Sequence, residues 1–259
     1  MPYVDTGRVS LHYEGTGGNG CPVLLLHELG GNSESWREVI RLLAAERRVI
    51  AADLRCAGRS EKPAGSFTLA EAADDLLPLL DALELHDPLD LIGCALGSLI
   101  GALLAIRHPE RVRRLMMCAV APEMAGPTRE YLIERAKEVR AAGMRAVADA
   151  SLGNSFPDAH ASQRARYRGI YLGNDPAAYA ELSLALARLE MTPGDWGAIR
   201  VPVLVASGAH DFLWPPPAGR EVAALIPEAR FEVMDDAGHF PHLQAPATLV
   251  RLAHDFFAG

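Results

Sequence analysis

The sequence predicts an α/β fold, a mostly parallel central sheet flanked by helices with a helical cap inserted into it. Three observations carry this prediction. Short apolar runs of the buried-strand type alternate with helically spaced segments up to about Val120. That rhythm lapses between Pro122 and Trp196, where helical patterns follow one another without a strand, and it resumes from there to the end of the chain. The expected division is a first core part at residues 1–121, a cap at 122–195 and a second core part at 196–259.

The elements follow in order. Alternation at Val9, Leu11 and Tyr13 marks a strand of an early hairpin, and the continuous apolar run PVLLLH (22–27) marks a buried central strand. SESWREVIRLLAA has helical spacing at Trp36, Val39, Ile40 and Leu43, and RRVIAADL reads as the next strand. TLAEAADDLLPLLDAL is a helix with Thr68 as its cap. DLIGCALGSLIGALLAI (90–106) is a buried strand running through a glycine-flanked turn into an apolar helix, followed by the strand VRRLMMCAV. In the cap, TREYLIERAKEVRAAGMRAVADASL, HASQRARYRGIYLG and DPAAYAELSLALARL read as successive helices bounded by proline- and glycine-containing joints. VPVLVASG, the helix around AGREVAALI, the strand RFEVMD and the helix TLVRLAHDFF restore the alternation.

Composition narrows the function classes. The 259 residues can bury a sizeable core, and 49% hydrophobic with 22% charged residues is ordinary for a folded protein. With 25 basic against 33 acidic residues the net charge is −8, and no Lys/Arg run or basic stripe is present, which argues against nucleic acid as a partner. Cys21, Cys56, Cys94 and Cys118 are scattered, without C-x-x-C or metal-type spacing. No apolar stretch approaches ~18 residues and the first residues lack a basic start with an apolar run, so the expectation is a cytoplasmic chain without a membrane partner.

Five motifs carry chemistry: LLLHELGGNSESW, AADLRCAGRS, GCALG, SGAHD and DAGHFPHLQAP. Each is weak alone. Together, in this order and spacing, they resemble the α/β-hydrolase superfamily, in its capped small-molecule form, over essentially the whole length. The cap and length are most similar to 3-oxoadipate enol-lactonases and related bacterial esterases. The resemblance implies an α/β-hydrolase fold, a small-molecule substrate, and neither metal nor cofactor. It also exposes two departures: the nucleophile turn has Ala95 between Gly93 and Gly97, and Glu28 follows His27 where the family usually has glycine.

Matched residue by residue, the resemblance implies that His239 is the general base and Asp211 the acid that orients it, in the family's chain order of nucleophile turn, Asp, His. Some relatives carry the acid before the cap, where Glu123 is the nearest candidate. The oxyanion donors would be the backbone N–H groups of Leu29 and Leu96, which survive a change of side chain at 95. Glu28 is a candidate acid or base if its pKa is raised, or else a side chain turned to solvent or to an arginine. His242 reads as a pocket or packing residue. Cys94 lies one residue before the nucleophile position and reads as packing, as does Cys56, while Ser98 reads as a helix residue. Tyr167, Tyr171, Phe212, Trp214 and Phe240 are candidate substrate-lining residues.

Ala95 has two readings. In one, a serine-type lactone or ester hydrolase has had its serine replaced and every other motif kept. In the other, alanine belongs there, and His239 and Asp211, with Glu28 as a further acid or base, act on water or substrate directly in hydrolysis, C–C cleavage or cofactor-free oxygenase-like chemistry. A third reading, a non-catalytic small-ligand receptor, is weakened by the retained Asp211 and His239.

Overall fold

The computed structural model of the chain describes residues 2–18, 20–156 and 160–259; positions 157–159 of the predicted cap lie outside these. An antiparallel pair, β1 (Tyr3–Asp5) and β2 (Ser10–Gly15), leads to β3 (Val23–Leu26), a 3₁₀ turn at Ser33–Trp36, α1 (Arg37–Leu43) and β4 (Val49–Ala52). Next come α2 (Leu69–Asp74), α3 (Leu76–Ala82), β5 (Leu89–Cys94), α4 (Leu96–Arg107) and β6 (Val112–Cys118). Among the described residues the helices α5 (Gly126–Ala142), α6 (Met144–Ser155), α7 (Ala161–Leu172), α8 (Pro176–Ala187) and α9 (Pro193–Trp196) follow. The chain closes with β7 (Val203–Gly208), α10 (Pro216–Leu225), β8 (Arg230–Met234), α11 (Pro241–Gln244) and α12 (Pro246–Ala258).

The strands form one sheet in the order β1-β2-β4-β3-β5-β6-β7-β8. It is parallel from β4 to β8 and antiparallel only where β2 meets β1 and β4. Every residue of β3, β4, β5 and β7 is buried, as expected of strands covered on both faces. Asp90, inside β5, is the charged exception: its carboxylate is paired with Arg47 and Arg113. Between β6 and β7 the described residues contain no strand, so the helices α5–α8 sit in one insertion over the sheet's carboxyl end.

Two predicted helices are divided, each for a local reason. TLAEAADDLLPLLDAL breaks at Asp75 because Pro78 has no N–H and its ring clashes with the carbonyl four residues earlier. Thr68 caps the first half in a reciprocal capping box with Glu71, a feature worth about 1 kcal/mol. The long cap segment divides at Gly143, whose φ of +77° is accessible to glycine and costly for other residues.

Candidate active site

The site begins at the crossing of β5, β3 and α4. Ala95 links strand to helix with φ +48° and ψ −111°, a conformation that costs a non-glycine residue about 1–3 kcal/mol and persists only where the surroundings enforce it. The enforcement comes from close packing. A Cβ on Gly93 would stand 2.5 Å from the backbone of Gly97, and one on Gly97 would stand 2.1 Å from the Leu26 carbonyl. Ser98 stitches the turn to β6: its hydroxyl donates to the Cys118 carbonyl at 2.8 Å and accepts the Cys118 N–H at 3.0 Å. Ser98 is therefore a helix residue with a fixed partner.

His239 follows the edge strand β8. Its Nδ1 lies 3.0 Å from both carboxylate oxygens of Asp211, and Asp211 Oδ1 also accepts the N–H groups of Leu213 and Trp214 at 2.9 Å. That turn fixes the carboxylate before the imidazole meets it. Gln244 accepts the N–H groups of Gly238 and Phe240 and donates to the Ser155 carbonyl of the cap, which clamps the histidine loop on both sides. Glu123, the alternative acid, is exposed beside a separate small cavity; the partner of His239 is Asp211.

On the other side of the elbow, Leu54 N–H donates to His27 Nε2 at 3.1 Å, leaving Nδ1 to donate to the Glu28 carbonyl at 2.8 Å. The loop after β3 is held in place by these two bonds. Neither Leu29 N–H nor Leu96 N–H has a protein acceptor among the described residues, and both residues line the same cavity as Ala95 and His239.

Glu28 departs from both roles its motif allowed. It turns neither to solvent nor to an arginine: it is fully buried, with Oε2 2.9 Å from His242 Nε2 and 3.5 Å from the Ser35 hydroxyl. Nor is its pKa raised. Burial pushes the carboxyl up, but the charge and hydrogen bond of His242 more than offset this and hold it at about 2. Glu28 is therefore held ionised, against the raised pKa that a part in acid–base chemistry was expected to need. Space for it exists because residue 31 is glycine, where a Cβ would come within 2.1 Å of Glu28 Oε1. His242 in turn lies against Trp36, ring centroids 4.4 Å apart.

The cavity holds about 250 Å³, below the ~300–1,000 Å³ of sites for drug-sized ligands, so it suits a small molecule. Tyr167, Tyr171, Phe212, Trp214 and Phe240 all line it, with Phe212 the most exposed of them. Tyr131, Arg135, Ser151 and Tyr179 of the cap line it too, and no local pattern in the sequence singles them out. Arg135 lies in a helix dense with surface charge, where one inward-facing guanidinium looks like its neighbours.

One group of donor atoms has mutual distances compatible with a metal ion among the described residues, Glu28, Cys94 and His242, all within 4.8 Å of one another and buried. Burial and the Glu28 charge keep the Cys94 thiol protonated, and it donates to the His239 carbonyl. Burial likewise pushes the Cys56 thiol up to about 11. Neither thiol has the lowered pKa of a reactive cysteine.

Residues 22–246 match the family model of the alpha/beta hydrolase fold. An enol-lactonase from Burkholderia xenovorans is similar over the full length of both chains, with 30% identity and a TM-score of 0.93. A thermophilic esterase from Thermogutta terrifontis shares 27% identity over 96% of this chain and 93% of its own, with a TM-score of 0.91. A 2-hydroxymuconate semialdehyde hydrolase from a Pseudomonas species is 30% identical, covering 97% of this chain and 90% of its own. With that sheet order and a match that spans core and cap together, the chain belongs to the α/β-hydrolase family of enzymes and resembles its enol-lactonases.

Proposed function

We propose that the chain hydrolyses a small ester or lactone with a water molecule activated by His239, without an acyl-enzyme intermediate. The observation that carries this reading is the Asp211–His239 pair at 3.0 Å, braced on both carboxylate oxygens, in a cavity whose elbow bears a methyl group. With Nδ1–H donated to Asp211, the basic nitrogen is Nε2 on the opposite edge of the ring. A methyl group has no proton to give, so Nε2 takes one from water as the water oxygen attacks the substrate carbonyl. The oxyanion that forms accepts the N–H groups of Leu29 and Leu96. Nε2–H then returns the proton to the departing alkoxide or enolate oxygen as the C–O bond breaks.

Glu28 supports alanine as a working residue at this position. Its buried carboxylate is accommodated by a set of neighbours, His242, Ser35 and Gly31, that a single serine replacement would not bring with it. In this reading Glu28 shapes the loop that carries Leu29 N–H and does not exchange protons. The test is turnover of a panel of enol-lactones and aryl esters by the unaltered chain, followed by rapid quench and intact-protein mass spectrometry. Product should form without a burst and without any acylated protein. An acyl adduct, or no turnover across the panel, would sink the proposal.

A further inference from the structure

Glu28, Cys94 and His242 are all buried, and each adjoins a different part of the active site. Glu28 precedes Leu29 in the loop after β3, Cys94 precedes Ala95 at the elbow, and His242 lies on the loop of His239. Folding brings one donor atom from each to within 4.8 Å of the other two. A carboxylate, a thiol and an imidazole are donor types of zinc sites, whose bonds of about 2.0–2.3 Å set neighbouring donors about 3.3–3.6 Å apart. The 2.9 Å contact of Glu28 with His242 and the 4.8 Å limit bracket that spacing.

Glu28 is already ionised, and its Oε1 is buried without a hydrogen-bond partner among the described residues. The Cys94 thiol keeps its proton in the metal-free chain, and a coordinating thiol gives that proton up to solvent. Carboxylate and thiolate then cancel the charge of a divalent ion beside a neutral imidazole, so the filled site is as neutral as the ion pair it replaces. Glu28 borders the catalytic cavity and His242 a second one of about 30 Å³, which leaves a small ion only these side chains to pass. We propose that Glu28, Cys94 and His242 bind one zinc-class divalent cation behind the elbow, tying the loop of Leu29, the elbow and the loop of His239 together. The ion positions these segments and touches no reacting atom. Glycine at residue 28 would supply no donor, so the site arises from this chain's own departure from the hydrolase pattern. Without the ion, Glu28 and His242 remain the ion pair described above. The site does not rest on the hydrolytic reading.

Metal binding tests the site without any assay of turnover. The protein is stripped with a chelator, dialysed free of it and titrated with zinc chloride against a chromophoric competitor. The unaltered protein should take up one zinc ion with a dissociation constant below about 1 µM, as structural zinc sites do. Cys94→Ala should bind it at least about a hundredfold more weakly, beyond the cost of losing an outer partner of a ligand. Cobalt(II) in place of zinc reads the donors: the unaltered protein should show a near-ultraviolet thiolate-to-cobalt band that C94A lacks. X-ray absorption at the zinc edge of the unaltered protein should find one sulfur among nitrogen and oxygen neighbours, which decides the matter even if C94A fails to fold. No stoichiometric uptake overturns the proposal. So does an affinity unchanged in C94A, or a zinc shell without sulfur, the results expected of an ion held only by surface histidines.

Discussion

His239 and His242 are separated only by Phe240 and Pro241, and each meets a carboxylate, yet the two pairs are built for different ends. Asp211 binds His239 Nδ1 with both oxygens, and the ring leaves its other edge to a cavity that holds a small molecule. Glu28 and His242 are both buried and meet at 2.9 Å, and of the two only Glu28 borders that cavity. A histidine–carboxylate pair can act as a base where one ring nitrogen reaches the substrate; where neither does, the pair holds a loop in place. Pro241 begins α11 between them and turns the second ring into the core against Trp36.

The sharpest way to break this comparison is to remove the first pair. His239→Ala is expected to lower kcat/KM by about 10²–10⁴, the usual share of a general base, while the thermal melt stays close to that of the unaltered protein. Activity within tenfold of the starting value would show that His239 is not the base.

Removing the second pair should exchange the two readouts. His242→Ala leaves the Glu28 carboxylate buried without its partner, and the expected cost is about 3–5 kcal/mol in urea unfolding. The double variant His242→Ala with Glu28→Gln should recover much of that loss, because the stranded charge is gone. A cost below 1 kcal/mol, measured as a urea midpoint barely moved, would mean that the pair is not structural.

Acid titration sharpens the same point. The Glu28 carboxyl sits at about 2 in the folded chain against 4.5 for its ordinary value, so its stabilisation is complete above about 4.5 and is lost as the pH falls towards about 2. Across that window the unaltered protein should lose up to about 3 kcal/mol that Glu28→Gln does not lose. Parallel stability curves for the two proteins between pH 4.5 and 2.5 would remove Glu28 from the account.

The smallest effect is expected at the elbow. Ala95→Ser should change the steady-state rate by less than about tenfold, because the proposed reaction passes through water rather than an acyl-enzyme. A gain of a hundredfold or more, with a burst of product, would mean that His239 is set up for a serine.

By itself the sequence determined the doubly covered sheet, the insertion of helices into it and the order of elbow, Asp211 and His239, because buried-strand runs, helical spacing and a fixed motif order are local features of the chain. It also located the cavity's aromatic residues, since Tyr167, Trp214 and Phe240 lie in segments that the cap and the loops had to bring over the elbow. The interruptions at Asp75 and Gly143 were legible in principle from Pro78 and from the glycine itself. What only the tertiary structure decided is which charges face one another. Glu28 and His242 are separated by most of the chain, and whether a carboxylate after His27 is free, raised or pinned depends on the element folded against it. Arg135 is one charge among many on its helix until the helices α5–α8 close around it. Hydrophobic periodicity is written into neighbouring residues, whereas electrostatic partnership depends on distances that exist only after folding.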